Sequence, residues 1–536
     1  MAKTAQRLSR GPYRLAKVQL IAVLAVLAFL GPIATGSCLG NPSVWVPARW
    51  DGGPLEVARR AKDKAVAENG SIRKAIAEWY DPTTLSLLEG TPINCLILTF
   101  MAEAEPAVQR LQLQQVKDYA MLARKRGITA MGIVYPGLDP RVVAAAADEA
   151  RLDGLVLDGD FPSQGGFAKN LEAALRSIDS PALVIPIARN AALVRRAKMP
   201  LLAVTGVRPN ARDLADMGIR AGPSAEPWID SNIWLVRSIR MGTAWRPIWI
   251  DQQPNSNSQG DYLRCVADSA VAGGRWLVAL DDELRSGLFR RETDALAIWK
   301  SVGRYLAFAE DHAEWRSFAP YGNLGIILDT ARQNSATSDE YLNLVARRQV
   351  PYRVIERSQL NLESLLTFRA ILAADLVPPS ETERKLLQIF AENGGLVVAG
   401  PSWGGPPKEN DYAEFSVGKG HVVVYKDDPP DPEMVARDML DLLEPEAMGL
   451  TAFNVPSVLT YASNSDSGKR ALIQMLNYAT TPFNSKITIR LNGNFKVSHL
   501  FTPEDAPIEL PVRGTSDSRT EVAIPKLAVW GALLLE

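Results

Sequence analysis

The chain has 536 residues, 47% hydrophobic and 22% charged, with a formal net charge of −1. That length exceeds a single core and predicts about three domains, while the balanced charge excludes the basic face of a nucleic-acid binder. With three cysteines the fold is not stapled by disulfides, and three histidines argue against a histidine-ligated zinc centre.

The N-terminus is charged unlike the rest. Its first 37 residues carry five basic side chains (Lys3, Arg7, Arg10, Arg14, Lys17) and no acids, leaving 54 basic against 60 acidic residues beyond them. Val18 to Leu30 follows with one polar member. A membrane-spanning helix needs roughly 20 apolar residues, so this shorter run reads as the core of a signal peptide over residues 1–37. The expected destination is the periplasm or cell surface. Cys38, after Thr35-Gly36-Ser37, resembles a bacterial lipobox cysteine, with Thr35 where leucine is usual. The resemblance implies a lipid anchor at Cys38; ordinary cleavage nearby and an uncleaved anchor stay open.

Residues 44–318 alternate strand-like and helical runs. The strands read are 44–48, 93–100, 128–135, 155–157, 182–187, 201–204, 247–250 and 276–280. Amphipathic stretches such as Ala107 to Gly127 separate them, with apolar residues at helical spacing and a closing glycine. Eight strands alternating with helices predict a (β/α)₈ TIM barrel. Cys95 falls in a strand and Cys265 on a helix, each read as a small buried hydrophobe.

Residues 323–447 read as a smaller α/β layer with mostly parallel strands at NLGIILD, FRAILAADL, ENGGLVVAGP and GKGHVVVYKDD. A helix stopped by Gly394-Gly395 precedes the third. Residues 450–536 hold β-rich runs between Asn, Gly, Pro and Ser clusters, which predicts a C-terminal β-sandwich.

This order of barrel, α/β domain and sandwich resembles secreted bacterial glycoside hydrolases, notably family-42 β-galactosidases. The residues carrying the resemblance are GIILD (Gly325 to Asp329), FAENGGLVVAG (Phe390 to Gly400), GKGHVVV (Gly418 to Val424), Asn477-Tyr478 and the closing VAIPKLAVWGALLLE. It implies a flavodoxin-like, class I glutamine amidotransferase-like middle domain that serves assembly, hence homo-oligomerisation. That domain has no cysteine, which excludes glutaminase chemistry. The barrel also departs from the family, since Asp158-Gly159-Asp160 stands where an Asn-Glu pair follows strand four.

The acids favour sugar chemistry. LDGLVLDGDF, WRPIWIDQQ and GRWLVALDDEL each end in carboxylates, and the C-terminal ends of barrel strands converge on one rim. Glycoside hydrolysis uses two carboxyls, one protonating the leaving oxygen and one acting as nucleophile or base. Asp158 and Asp251, from strands four and seven, are the expected pair, with Glu226 a rival acid/base. Expected substrate contacts are Asp160, Trp228, Asp230, Asn232, Asp281, Asp282, Glu283 and Trp50, joined by Arg49, Asp51, Glu103 and Glu105. Each such acid also has a structural use as helix N-cap or ion-pair partner, and Trp228 as a packed loop anchor. No cofactor is expected. An alternative gives Asp158, Asp160, Asp281 and Asp282 a Ca²⁺ or Mg²⁺ ion. Gly400-Pro401-Ser402-Trp403-Gly404 matches the hydrolase elbow pattern, but Gly405-Pro406-Pro407 cannot open the required helix.

The reading is an exported glycoside hydrolase-like protein acting on an oligo- or polysaccharide. The alternative is a non-catalytic carbohydrate-binding lipoprotein on the same scaffold, with the membrane reached only through the lipid anchor.

Overall fold

Eight short strands form the first sheet: β1 (Pro47–Trp50), β2 (Cys95–Met101), β3 (Thr129–Val134), β4 (Gly154–Leu157), β5 (Leu183–Ala188), β6 (Leu202–Thr205), β7 (Ile248–Asp251) and β8 (Arg275–Trp276). Each is parallel to the next in chain order. A parallel bridge between Ala48 and Val278 brings the chain after β8 back to β1, with the Arg49 N–H donating to the Val278 carbonyl at 2.7 Å. This is the near-closed barrel expected from the alternating pattern. The computed structural model describes residues 41–161, 166–189, 194–195, 197–212, 228–241, 246–254, 258–329, 336–374, 378–455, 457–465, 467–479, 482, 486–515 and 518–536. The signal-peptide reading, Cys38 and Glu226 lie outside the described residues.

Strand periodicity sorts the barrel side chains into two layers. Cys95, Ile97, Met131, Ile133, Val156, Ile185, Ile187, Ala203 and Trp249 pack together inside the barrel. Their neighbours Leu96, Leu98, Phe100, Leu155, Leu157, Ile248 and Ile250 pack outward against helices. Helix Pro106–Lys125 shows why these segments are helical. Proline opens it, Arg124 and Lys125 sit in its last turn, and Gln112, Val116, Tyr119, Ala120 and Ala123 form one buried stripe. Cys95 and Cys265 are buried and unpaired.

The first strand differs from expectation. Pro42–Val44 is a 3₁₀ turn, and pairing begins at Pro47. Arg49 and Trp50 therefore lie within β1 rather than after it.

A second sheet has the order Tyr352–Glu356, Leu324–Leu328, Ala370–Ala373, Leu396–Ala399, Gly420–Tyr425, Tyr412–Val417. The first five are parallel and the last is antiparallel. Its first four strands follow the 2-1-3-4 order of flavodoxin-like folds. Both edge strands escape the sequence pattern, because YRVIE and YAEFSV are half polar and lie at the two edges of the sheet. Helix Glu381–Glu392 starts with a Ser380/Glu383 capping box and ends before Gly394. Pro401–Trp403 is a 3₁₀ turn, so the Ser402 pattern builds no elbow.

Two antiparallel sheets close the chain, one of six strands and one of four. Val458–Asn464, Ala471–Asn477 and Trp530–Leu535 form the centre of the larger sheet. Leu472, Leu476, Trp530, Ala532 and Leu534 face the barrel side, while Ala471, Ile473, Met475, Leu533 and Leu535 face the other sheet. Burial on both faces explains why these strands read as continuous apolar runs. Tyr478 reaches a helix of the barrel, Gln259–Val271, its hydroxyl donating to Asp268 Oδ1 at 2.6 Å.

Candidate active site at the barrel mouth

The inward-facing rows of the barrel continue upward into polar side chains. Two residues beyond Ile97 is Thr99, beyond Ile133 is Tyr135, beyond Val156 is Asp158 and beyond Trp249 is Asp251. Arg49, paired in register with Ile97, belongs to the same inward row of β1. Alternation at period two thus delivers one polar layer to the C-terminal rim, where barrel sites form.

Arg49 is the hub of this layer. Its Nη2 donates to Asp158 Oδ2 at 2.9 Å, its Nη1 to Asp251 Oδ1 at 3.2 Å and its Nε to Asp51 Oδ2 at 3.3 Å. Sharing one guanidinium keeps the Asp158 and Asp251 oxygens inside the outer limit of about 9.5 Å for glycosidase carboxyl pairs. The Asp158 side chain is 19% exposed and that of Asp251 14%. A second tier supports the first. Thr99 Oγ1 donates to Glu56 Oε2 at 3.1 Å, Glu56 pairs with Arg59 at 2.8 Å, and the Arg59 guanidinium lies 4.3 Å above the Tyr135 ring.

The loop after β1 is pinned from below. Gly53 has φ +85°, and a Cβ there would come within 2.3 Å of Gln112 Oε1. Gln112 uses that space, accepting from the Leu55 N–H and donating to the Gly52 and Thr99 carbonyls.

Burial raises the Asp251 pKa; Arg49 opposes this, while Asp158 and Asp51 push it further up. Burial thus favours the protonated form of Asp251. Burial alone would lower the Arg49 pKa, but Asp51, Asp251 and Asp158 hold it well above the ordinary value. Four carboxylates (Asp51, Glu56, Asp158, Asp251) face two guanidiniums (Arg49, Arg59). The site has negative charge to spare, and one proton on Asp251 relieves it.

Other expected contacts are not brought here. Trp50 points outward from β1 and is fully buried, its ring 4.9 Å from Trp79 and its Nε1 donating to Tyr119 Oη at 2.7 Å. Its placement at a sugar subsite is corrected: it has no free face. Asn232 is also fully buried, bonded to Val207, Gln252 and Asp268; it holds the fold and meets no solvent. Asp281 caps helix Asp282–Phe289 through the Leu284 N–H, and Asp282 pairs with Arg60 at 2.6 Å. Glu283 is exposed. Gly159 (φ +127°) turns the chain after β4 and leaves the Asp160 side chain 89% exposed beside Arg189. Asp230 is half-buried at the end of a two-stranded ribbon, Asn210–Arg212 with Trp228–Asp230. The Trp228 side chain lies outside the described part. Asp158, Asp160, Asp281 and Asp282 form no ligand group, and no cluster of three His, Cys, Asp or Glu residues suited to a metal occurs among the described residues.

Tyr135, Thr99 and Glu56 were missed in the sequence. Counting on by twos from the apolar interior residues finds the first two, and no motif marks Glu56. The Tyr135 hydroxyl is buried with no hydrogen-bond partner among the described residues.

No family model matches the sequence, and no curated protein is similar to it. Solved structures do match. An α-L-fucosidase isoenzyme from Paenibacillus thiaminolyticus superposes with a TM-score of 0.58 at 11% identity, over 85% of this chain and 96% of that one. A family-42 β-galactosidase from G. stearothermophilus gives 0.51 at 10% identity, over 92% and 98%. At such identity the shared property is the fold: this chain has a glycoside hydrolase-like fold along nearly its whole described length.

Proposed function

We propose that the chain hydrolyses a glycosidic bond in an oligo- or polysaccharide at the barrel mouth. The observation carrying this reading is the pairing of Asp158 and Asp251 through Arg49, together with the burial that raises the Asp251 pKa. Asp251 is the proton donor to the departing glycosidic oxygen. Asp158, ion-paired with Arg49, attacks the anomeric carbon or takes a proton from the attacking water. The glycoside hydrolase-like fold supports the same class of substrate.

A second reading, a carbohydrate-binding protein without turnover, is favoured by one observation. Arg49 lies between the two carboxyls and occupies them both. In a hydrolase a sugar hydroxyl must displace part of that ion pair; in a binder the pair stays closed. Reducing-sugar release from a polysaccharide panel, with Asp158→Asn and Asp251→Asn as controls, separates the two. Turnover lost in both variants supports the hydrolase, and glycan binding without turnover in the wild type supports the binder.

A further inference from the structure

The barrel rim continues past Asp158 on the β4 side. Gly159, at φ +127°, turns the chain closely over the loop after β3, where a Cβ on it would meet Pro136 at 2.7 Å. Asp160 and Phe161 follow. Helix Gly166–Ser177 comes next and leads back down the barrel wall to β5, so its first turn, with Phe167, stands at the same rim. The two rings meet there, with 4.7 Å between centroids and 33° between planes.

Both phenylalanines pack against the outer core of the barrel, yet each keeps part of its surface in water. Beside them Arg189, just past the end of β5, approaches Asp160 at 3.5 Å, with side chains 48% and 89% exposed. An exposed and loose ion pair of this kind adds little to stability, so both groups remain available to a ligand. Three residues of chain span at most about 11 Å, which sets Phe161 within reach of a sugar ring adjoining one held at Asp158. Aromatic surface with a few polar groups alongside is the usual make-up of a small-ligand site. The rings offer an apolar face, and Asp160 and Arg189 accept from and donate to hydroxyls.

We propose that Phe161 and Phe167, with Asp160 and Arg189, form an outer subsite that holds a further sugar ring of a chain lying across the mouth. The protein then selects an oligosaccharide over a disaccharide. This inference rests on the mouth being a glycan site, as proposed above, but not on turnover there.

The test is calorimetric titration of the full chain with the disaccharide and the pentasaccharide of the β-1,4-linked gluco, manno, xylo and galacto series. In at least one series the pentasaccharide binds the wild type more tightly. Phe161→Leu, which keeps an apolar side chain and removes the ring, weakens the pentasaccharide about two- to tenfold and leaves the disaccharide unchanged. Phe161→Tyr keeps both values. If the ring only packs the loop, Phe161→Leu lowers Tm and leaves the ratio of the two affinities alone, which overturns the proposal. Equal binding of both lengths, or no binding in any series, overturns it too. Should Phe161→Leu fail to fold, Arg189→Gln, at an exposed side chain, decides on the same ratio. Reducing-sugar release, followed separately, judges the hydrolytic reading: a wild type that shows the length preference and cleaves nothing contradicts hydrolysis and upholds the subsite.

Discussion

Asp158 and Asp251 share the two terminal nitrogens of one guanidinium, that of Arg49, across the mouth of the barrel. Strands four and seven supply the acids and strand one the cation between them. The shared cation holds the two carboxylates close together.

Removing the hub tests its structural weight. Arg49→Met leaves Asp51, Asp158 and Asp251 mutually repelling, with side chains less than a fifth exposed. Loss of one partner from a buried ion-pair group costs about 3–5 kcal/mol, expected as a lower denaturation midpoint in urea. Arg49→Met with Asp251→Asn recovers part of the loss; an additive pair would show that Arg49 and Asp251 are not coupled.

Stability should vary with pH in a set direction. Burial raises the pKa of Asp251, against the pull of Arg49, and raises that of Asp268, against hydrogen bonds from Tyr478, Asn232 and Ser231. The folded protein then holds these protons to higher pH than the unfolded chain, whose aspartates titrate near about 3.9. Their contribution to stability is full below that pH and is lost as pH rises through the raised folded values. Urea midpoints measured across this window should show Asp251→Asn losing its share of the slope. Activity, if Asp251 is the donor, falls on the same alkaline side.

Tyr135→Phe separates stability from function. The hydroxyl is buried and unbonded, and deleting an unsatisfied buried group costs nothing or gains up to about 1–3 kcal/mol. Tm should hold or rise, while KM for the sugar stays unchanged if the hydroxyl remains buried when the sugar binds and rises if the sugar draws on it. A fall in Tm would show that the hydroxyl already has a partner.

Much of this arrangement was legible in the sequence because periodicity and strand-end chemistry are local. Asp158 and Asp251 stand immediately beyond apolar runs, and the barrel follows from eight alternations. What failed depended on distant packing. Trp50 looked like a rim aromatic because the first strand was read too early; in the true register it faces Trp79 and Trp299. Asn232 looked like a sugar contact, yet Asp268, far along the chain, draws it inward. Glu56 sits on a helix that no pattern ties to the mouth, and only Thr99 and Arg59 reveal its role.

Tyr478→Phe probes the seam between sandwich and barrel. Its hydroxyl donates to Asp268 and lies 2.8 Å from the Ser231 hydroxyl in a fully buried cluster. Losing a donor to a buried carboxylate costs about 1.5–3 kcal/mol, expected as a lower Tm. The wild-type response to sugar at the mouth is expected to persist in the folded fraction, and its loss would place the two regions in one network.

The most direct measurement is reducing-sugar release by the full chain from a panel of polysaccharides, beside Asp158→Asn and Asp251→Asn of verified fold. The account predicts release by the wild type and a fall of about 10²-fold or more in each variant, the scale of a lost acid or base. Release that survives both substitutions, or a wild type that binds glycans and cleaves none, would contradict it.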